Sequence, residues 1–469
     1  MTAEARLREL ALASGPRLVT AGHPAAAAAG VAAYAAGGNA FDAALAACFA
    51  EHVALPMKCG LAGDLVSIFR RSDGTVRTLV SVGGGALALG EGARMQRLGP
   101  CSVGVPGAPD GFATLHGFAR LPLATIAAPA LRMAETGVAW SRVGINYLRD
   151  SVALLERYSP GNPYLAGGMP KAGDLLRLPG LGALLRAFIR DGADLFAGEE
   201  GERVVAAVRA GGGFLSVEDL RRRHARLAPP LEATLPDGTV LRATPAPTGG
   251  PRLAAIVAEA CGRPEALLPV IRAERLEAKR RGRLATDGGT SVVTAADAEG
   301  NAVVVVHSNS FPRFGSGVVL PSGLVLSNRP GRGFDLEAPP AAANAPAPGR
   351  VPLTTLHAWS LARDGELLLG ATPGGINQLP WNAQSVLQLL AGPAGGADIA
   401  ATVTSPRWAL SEADELTAEP GAVLPAEAGA RPVAAFANGS AQQIIHLRPG
   451  RLPESAADPR SIALALAAY

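Results

Sequence analysis

Aromatic residues are scarce in this 469-residue chain, at 4%. Charged residues make up only 18%, and only four cysteines occur. Each scarcity excludes something. Cys48, Cys59, Cys101 and Cys261 are scattered without CxxC spacing, so neither a zinc site nor a disulfide framework is expected. Cys48 sits in an alanine-rich apolar stretch and reads as core. The charges nearly cancel, with 43 basic against 40 acidic residues, which argues against a general nucleic-acid binder. No apolar run of about 18 residues free of charge or repeated glycine occurs, so no membrane span is expected. The stretch Met1 to Leu18 carries acids and arginines but no long apolar segment; it does not read as a signal peptide, and the expected location is cytoplasmic. The seven histidines show no HxH or HExxH spacing, and no phosphate-loop motif is present, so no metal and no cofactor is expected.

Small residues are plentiful: 57 Gly, 38 Pro, and alanine runs such as Ala25–Ala29. This composition suits a compact, loop-rich globular enzyme. A short helix is expected over 3–14. Gly22-His23-Pro24 opens an alanine-rich helix, and Asn39 or Asp42 begins another that runs to Ala54. Val66–Arg70 and Val76–Val82 alternate like paired strands across Ser72-Asp73-Gly74. Val103–Gly107 reads as a strand entering a turn, followed by helices to about residue 210. Ser216 is a helix cap, and strands fill 231–245. Glu274 to Arg283 is basic and reads as a solvated linker or helix face. Ala338–Gly349 is a loop.

The most informative region runs from Asp287-Gly288-Gly289-Thr290 through two β-rich segments flanking an acidic turn, Asp297–Asn301, to His307-Ser308. It reads as a hairpin. Gly-Gly-Thr before a strand is most often an ordinary loop. A chemical reading also exists. If the Gly289–Thr290 bond is cut, the new α-amine of Thr290, with a reference pKa of about 8, can take the proton from its own hydroxyl. Nucleophile and base then come from one residue. Glycine at 289 gives the backbone freedom to bring that hydroxyl onto the upstream carbonyl.

The order of short segments resembles the γ-glutamyltranspeptidase family of N-terminal-nucleophile hydrolases. The matching pieces are Gly22-His23-Pro24, Gly37–Ala44, Pro56–Asp64, Val105-Pro106-Gly107, Gly212–Leu215 with Glu218-Asp219-Leu220, and Pro247–Gly250. They continue with Thr290 and Asp297, Gly300–Val303, Phe314–Gly317, Pro373-Gly374-Gly375 and Ser405-Pro406-Arg407. The resemblance implies an α+β, four-layer αββα sandwich made as one precursor. Self-cleavage between Gly289 and Thr290 would yield a large fragment, 1–289, and a small one, 290–469, which remain one intertwined structural domain. It implies Thr290 as nucleophile, Ser308 as the hydroxyl that orients it, and Gly374 and Gly375 as an oxyanion loop. Thr354 and Thr355 match a serine pair beside the substrate, and Asn309 is a candidate pocket wall.

The chain departs from glutamyl-type members in both charged clamps. Ser81–Ala86 has no arginine for an α-carboxylate, and Leu326–Phe334 has no acid for an α-amine. Glutathione is therefore not the expected substrate. The details resemble the oxamate amidohydrolase-like branch: Pro56-Met57, Cys59–Asp64, His307-Ser308-Asn309, Ser327-Asn328-Arg329 and Thr355. In that reading Arg329 and Arg332 face a small anionic acyl group; the plainer reading makes them surface arginines in a glycine turn. Ala62 and Leu353-Thr354 differ from that branch's usual residues, and the helical insert usual between Ala260 and Asp287 is shortened here.

The expected activity is hydrolysis of a small acyl amide through an acyl-enzyme. Two alternatives stand beside it: a secondary-metabolite tailoring enzyme that cleaves an acyl C–C bond, and an uncleaved, degenerate binding protein. The expected partners are a small-molecule substrate and the protein's own two fragments. A homodimer of processed heterodimers is compatible with the reading; nucleic acid and membrane are not expected partners.

Overall fold

The computed structural model describes residues 3–90, 94–280, 289–393 and 396–469. Two seven-stranded antiparallel sheets lie face to face. The first runs in the order Leu464–Ala468, Arg17–Ala21, Thr290–Asp297, Ala302–Ser308, Asp64–Arg70, Val76–Ser81, Ala225–Ala228. The second runs Leu12–Ser14, Glu454–Ala457, Gln443–Leu447, Glu366–Ala371, Trp359–Arg363, Val240–Ala243, Leu231–Thr234.

Strand alternation explains the layering, because successive side chains point to opposite faces. Val292, Ala296, Val304 and Val306 pack between the sheets against Leu356, Ala358, Leu369 and Ile445. Their neighbours Val293, Ala295, Val303 and Val305 turn outward onto the helices Pro24–Ala35, Ala40–Ala54, Leu123–Thr136 and Pro179–Asp191. The second sheet sends Leu241, Trp359, Leu361 and Ile444 onto Gly250–Ala260, Leu267–Arg280 and Gln378–Ala391. The result is the four-layer αββα sandwich, an α+β fold. A central strand covered on both faces is buried along its whole length, and all eight residues of Thr290–Asp297 are buried, the polar ones among them included.

The alanine-rich helices serve close packing. Every residue of Ala40–Ala54 is buried. Its start is fixed by a capping box between Asn39 and Asp42. Asp297 reaches the same point: its Oδ2 accepts from Ala40 N at 2.9 Å and from Asn301 Nδ2 at 2.9 Å. The turn after the strand Thr290–Asp297 is thereby tied to the cap of a buried helix.

Two sequence expectations need correction. Val103–Gly107 forms no strand; a 3-10 turn, Pro100–Ser102, leads through it to the helix Ala108–His116. Pro106 has no N–H to donate, and this backbone packs tightly enough that a Cβ on Gly83 would lie 1.5 Å from Val105 O. The expected helix over 3–14 stops at Ala11, because Leu12–Ser14 pairs with Glu454–Ala457. The basic segment is helical to Arg280, while Arg281, Arg283, Asp287 and Gly288 lie outside the described residues. Among the described residues no helix is long and apolar enough to cross a membrane.

Candidate active site

The hairpin register places Thr290 directly opposite Ser308. The two hydroxyls lie 3.2 Å apart, with Thr290 donating to Ser308 Oγ. Gln378 Nε2 donates to Thr290 Oγ1 at 3.1 Å. Ser308 Oγ accepts from Ser310 N at 2.9 Å and points its own proton toward Gly289 O, at a long 3.5 Å. The threonine oxygen thus accepts one hydrogen bond and donates another, which fixes its rotamer. Thr290, Ser308 and Gln378 are all at most 1% exposed.

Gly289 sits at φ +67°, and a Cβ there would lie 2.1 Å from Ser310 O. Only glycine combines that left-handed backbone with so close an approach.

Across the site, Pro373-Gly374-Gly375 leads into the 3-10 turn Gly375–Asn377 and then the helix Gln378–Ala391. A helix start leaves backbone N–H groups without intrahelical partners, and the helix dipole favours negative charge there. Gly374, at φ +145°, packs against Trp381; a Cβ would lie 2.3 Å from that ring. Asn377 locks the turn by exchanging hydrogen bonds with Leu410, 2.9 Å to its O and 3.0 Å from its N. The helix that supplies Gln378 therefore also carries the candidate oxyanion loop.

Thr290, Gly289, Gly374 and Gly375 line one cavity of about 450 Å³. Lys58, Tyr147, Arg313, Asn377, Trp381 and Arg460 line it too. The other sequence candidates do not reach its wall. Asn309 donates from Nδ2 to Pro56 O at 3.1 Å and borders a separate small void beside His52. Thr354 Oγ1 accepts from Leu356 N at 3.1 Å. Thr355 O accepts from His357 Nδ1 at 2.7 Å, and His357 Nε2 accepts from Asn382 Nδ2 at 2.8 Å, so these threonines belong to a buried turn.

Arg329 is neither on the surface nor in the cavity. It is 1% exposed, and its Nε donates to Asp64 Oδ2 at 2.7 Å. Burial pushes the Asp64 carboxyl above its usual value, and Arg329 and the Gly83 N–H pull it part of the way back. Arg332 donates to Glu412 at 3.1 Å and lies over Phe311, 5.0 Å from the ring centre. Phe311 and Glu412 line the cavity, so Arg332 stands one layer behind it.

Sequence reasoning missed Gln378, Lys58, Tyr147 and Arg313. Gln378 had a signal: it stands three residues after Gly375, where a helix leaving a glycine loop must begin. The other three come from distant segments that only the fold brings together.

A buried trio, Glu51, Cys59 and His307, offers ligand atoms within 4.8 Å of one another. Both Glu51 oxygens are engaged, Oε1 by Gly22 N at 2.6 Å and Oε2 by His307 Nε2 at 2.7 Å. Burial pushes the Cys59 thiol well up, which keeps it protonated, whereas a metal needs the thiolate. These residues fit packing beside the strand Thr290–Asp297 better than metal binding.

Comparison with known proteins agrees with this architecture. The model of the gamma-glutamyltranspeptidase family matches residues 26–259 and 268–467. Oxamate amidohydrolase proenzyme of Klebsiella pneumoniae is 28% identical over 502 aligned residues, covering 90% of this chain and 93% of that one. Acylase ACY 1 proenzyme of a Pseudomonas species is 28% identical over 451, covering 81% and 80%. The crystal structure of cephalosporin acylase from Bacillus halodurans shares the fold, with a TM-score of 0.82 at 23% identity over 97% of this chain and 96% of that one. The chain belongs to the gamma-glutamyltranspeptidase family and is a hydrolase of that type.

Proposed function

We propose that this family member is an autoprocessed N-terminal threonine hydrolase that cleaves a small acyl amide. Thr290 Oγ1 first attacks the carbonyl carbon of Gly289. The peptide bond shifts to an ester, and water releases Gly289 as a carboxylate and Thr290 with a free amine. That amine then serves as general base: it takes the hydroxyl proton as Oγ1 attacks the substrate carbonyl. The N–H groups of the 374–375 loop face the developing oxyanion. The proton passes to the leaving nitrogen, the amine departs, and water hydrolyses the acyl-threonine ester.

The observation that carries this reading is the hydrogen-bonded row Gln378–Thr290–Ser308, set beside Gly289 in a cavity that also holds Gly374 and Gly375. Ser308 and Gln378 orient the attacking oxygen. The proenzyme names of two relatives support processing into fragments 1–289 and 290–469. Glutathione is set aside because neither charged clamp for a glutamyl group occurs in Ser81–Ala86 or Leu326–Phe334. Oxamate and short N-acyl amides are the substrates to try first. Thr290→Ala is expected to abolish release of ammonia or amine from any amide the wild type turns over; undiminished release by that variant refutes the reading.

A further inference from the structure

The basic stretch from Glu274 reads as a solvated helix face, and Lys279 and Arg280 are exposed accordingly. Arg275 departs from that pattern. The helix Leu267–Arg280 buries Leu268, Ile271 and Ala278. Arg275 falls on the same stripe, at i+4 from Ile271 and i−3 from Ala278, and is half-buried. Its guanidinium turns inward. Nη2 donates to Ile376 O and Nη1 to Ser411 O, each at 3.3 Å. Ile376 and Ser411 both line the cavity that holds Thr290.

The Ile376 carbonyl needs a donor from outside its own helix. It sits in the 3-10 turn Gly375–Asn377, just ahead of the helix Gln378–Ala391. The α-helical donor to this carbonyl would be the residue at i+4, which is Pro380, and proline has no N–H. The guanidinium supplies the bond that proline withholds. Asn377 makes a second tie, through its hydrogen bonds with Leu410. Together the two side chains hold the turn at 374–377 against the segment 410–411. Earlier in the same helix, Arg272 Nε lies 2.8 Å from Asp414 Oδ2, so the helix grips the end of that loop separately.

The bond from Arg275 leads to the oxyanion loop through two peptide planes. In a trans peptide the C=O and the next N–H point in opposite directions from one rigid plane. Ile376 O and Asn377 N share such a plane. Arg275 holds its carbonyl edge, and Asn377 N donates from the other edge to Gly374 O at 3.0 Å. Gly374 O and Gly375 N share the next plane. With its carbonyl edge held by Asn377, that plane directs the Gly375 N–H the opposite way, and Gly375 lines the cavity. Hydrogen bonds in such a row also polarise one another, more so when a cation begins it.

We propose that Arg275 is a positioning residue: through the planes 376–377 and 374–375 it aims and polarises the Gly375 N–H toward the oxygen of the substrate carbonyl. This rests on the Thr290 reading. It gives one residue of the basic segment a role that a solvated face would not have.

The test uses p-nitroanilides of four- to six-carbon acids, ending in a carboxylate or in a methyl group, as substrates. Arg275→Met removes both bonds. Losing an oxyanion donor outright costs about a hundredfold or more in kcat, so loosening one is expected to cost about tenfold, with KM within about twofold. Arg275→Lys can still reach one carbonyl and should recover most of the rate. Arg272→Met releases only Asp414 and should keep it. Self-cleavage is expected to proceed in all three variants, because its oxyanion forms on Gly289 O, which Ser308 Oγ faces. A second readout needs no catalysis. Backbone hydrogen exchange over 374–377 should quicken about tenfold in Arg275→Met, while exchange over 290–308 keeps its wild-type rate. An unchanged kcat in Arg275→Met overturns the proposal. So does a loss of rate that comes with an uncut chain and faster exchange throughout, which marks a merely structural role. Faster exchange confined to 374–377, in a protein whose wild type stays uncut and hydrolyses no anilide, refutes the hydrolase reading and leaves Arg275 as the tie that holds the turn. Unchanged exchange overturns the proposal whatever the activity.

Discussion

Gln378 acts on the reaction only through Thr290. Its amide donates to the threonine hydroxyl, which in turn donates to Ser308, and it is wholly buried. Replacing it with Leu keeps the volume and removes the donor, so Oγ1 loses one of the two bonds that fix its rotamer. The expected loss is about tenfold in kcat, the worth of one hydrogen bond, with a smaller change in KM. Gln378→Glu should not restore the rate, because an ionised carboxylate accepts rather than donates. Steady-state kinetics on any amide substrate checks both. Thr290 was singled out in the sequence through the family resemblance, since glycine, a hydroxyl and a strand are by themselves most often an ordinary loop; the structure sets it opposite Ser308. The residues around it were less legible. Arg329 was read as an anion binder through the resemblance to the oxamate amidohydrolase-like branch, and nothing in the local sequence reveals that Asp64, 265 positions away, has already claimed it.

At the level of elements, the short motifs that marked the family turn out to be joints. Asp297 and Asn301 close the hairpin turn and bind the cap of the helix Ala40–Ala54. Gly22 fits beside Glu51, which accepts from its N–H at 2.6 Å. The Asp64–Arg329 pair pins the start of the strand Asp64–Arg70 to the turn Arg329–Gly333. Removing one partner of a fully buried pair strands the other charge. Arg329→Met is therefore expected to destabilise the protein by about 3–5 kcal/mol. Its kcat/KM ratio between carboxylate and methyl-ended anilides should be unchanged where the protein stays folded. Denaturant unfolding and the anilide ratio together distinguish this structural role from a substrate contact. Strand and helix positions followed from alternation and capping. The segment at 103–107 did not, because its extended backbone is held by close packing against Gly83 rather than by a sheet.

For the whole molecule, the four layers were legible from the family resemblance, and the αββα order then explains why so many strands lack a polar face. The stretches before and after the proposed cut share both sheets. Arg17–Ala21 lies between Leu464–Ala468 and Thr290–Asp297, and Leu12–Ser14 pairs with Glu454–Ala457. Fragments 1–289 and 290–469 should therefore co-purify after cleavage and separate only on denaturation. The same dense packing makes the fold sensitive to acid. Burial lowers the pKa of His23, His52, His224, His357 and His446, with His224 and His357 brought to about 4. Between their ordinary value of 6.5 and the depressed values, the unfolded chain binds more protons than the folded one. Stability must then fall as pH drops through that window. His357 alone accounts for about 3 kcal/mol, at about 1.4 kcal/mol per unit. Melting temperature measured from pH 7 to pH 4 should decline steadily, and replacing His357 with Gln should flatten part of the decline.

Intact-mass spectrometry of the purified protein tests the central claim most directly. The account predicts two species whose masses match residues 1–289 and 290–469, with Thr290 as the new N-terminus, from the wild type. It predicts a single uncut chain from Thr290→Ala. A wild-type chain that remains whole on prolonged incubation, or one cut at another bond, would contradict it.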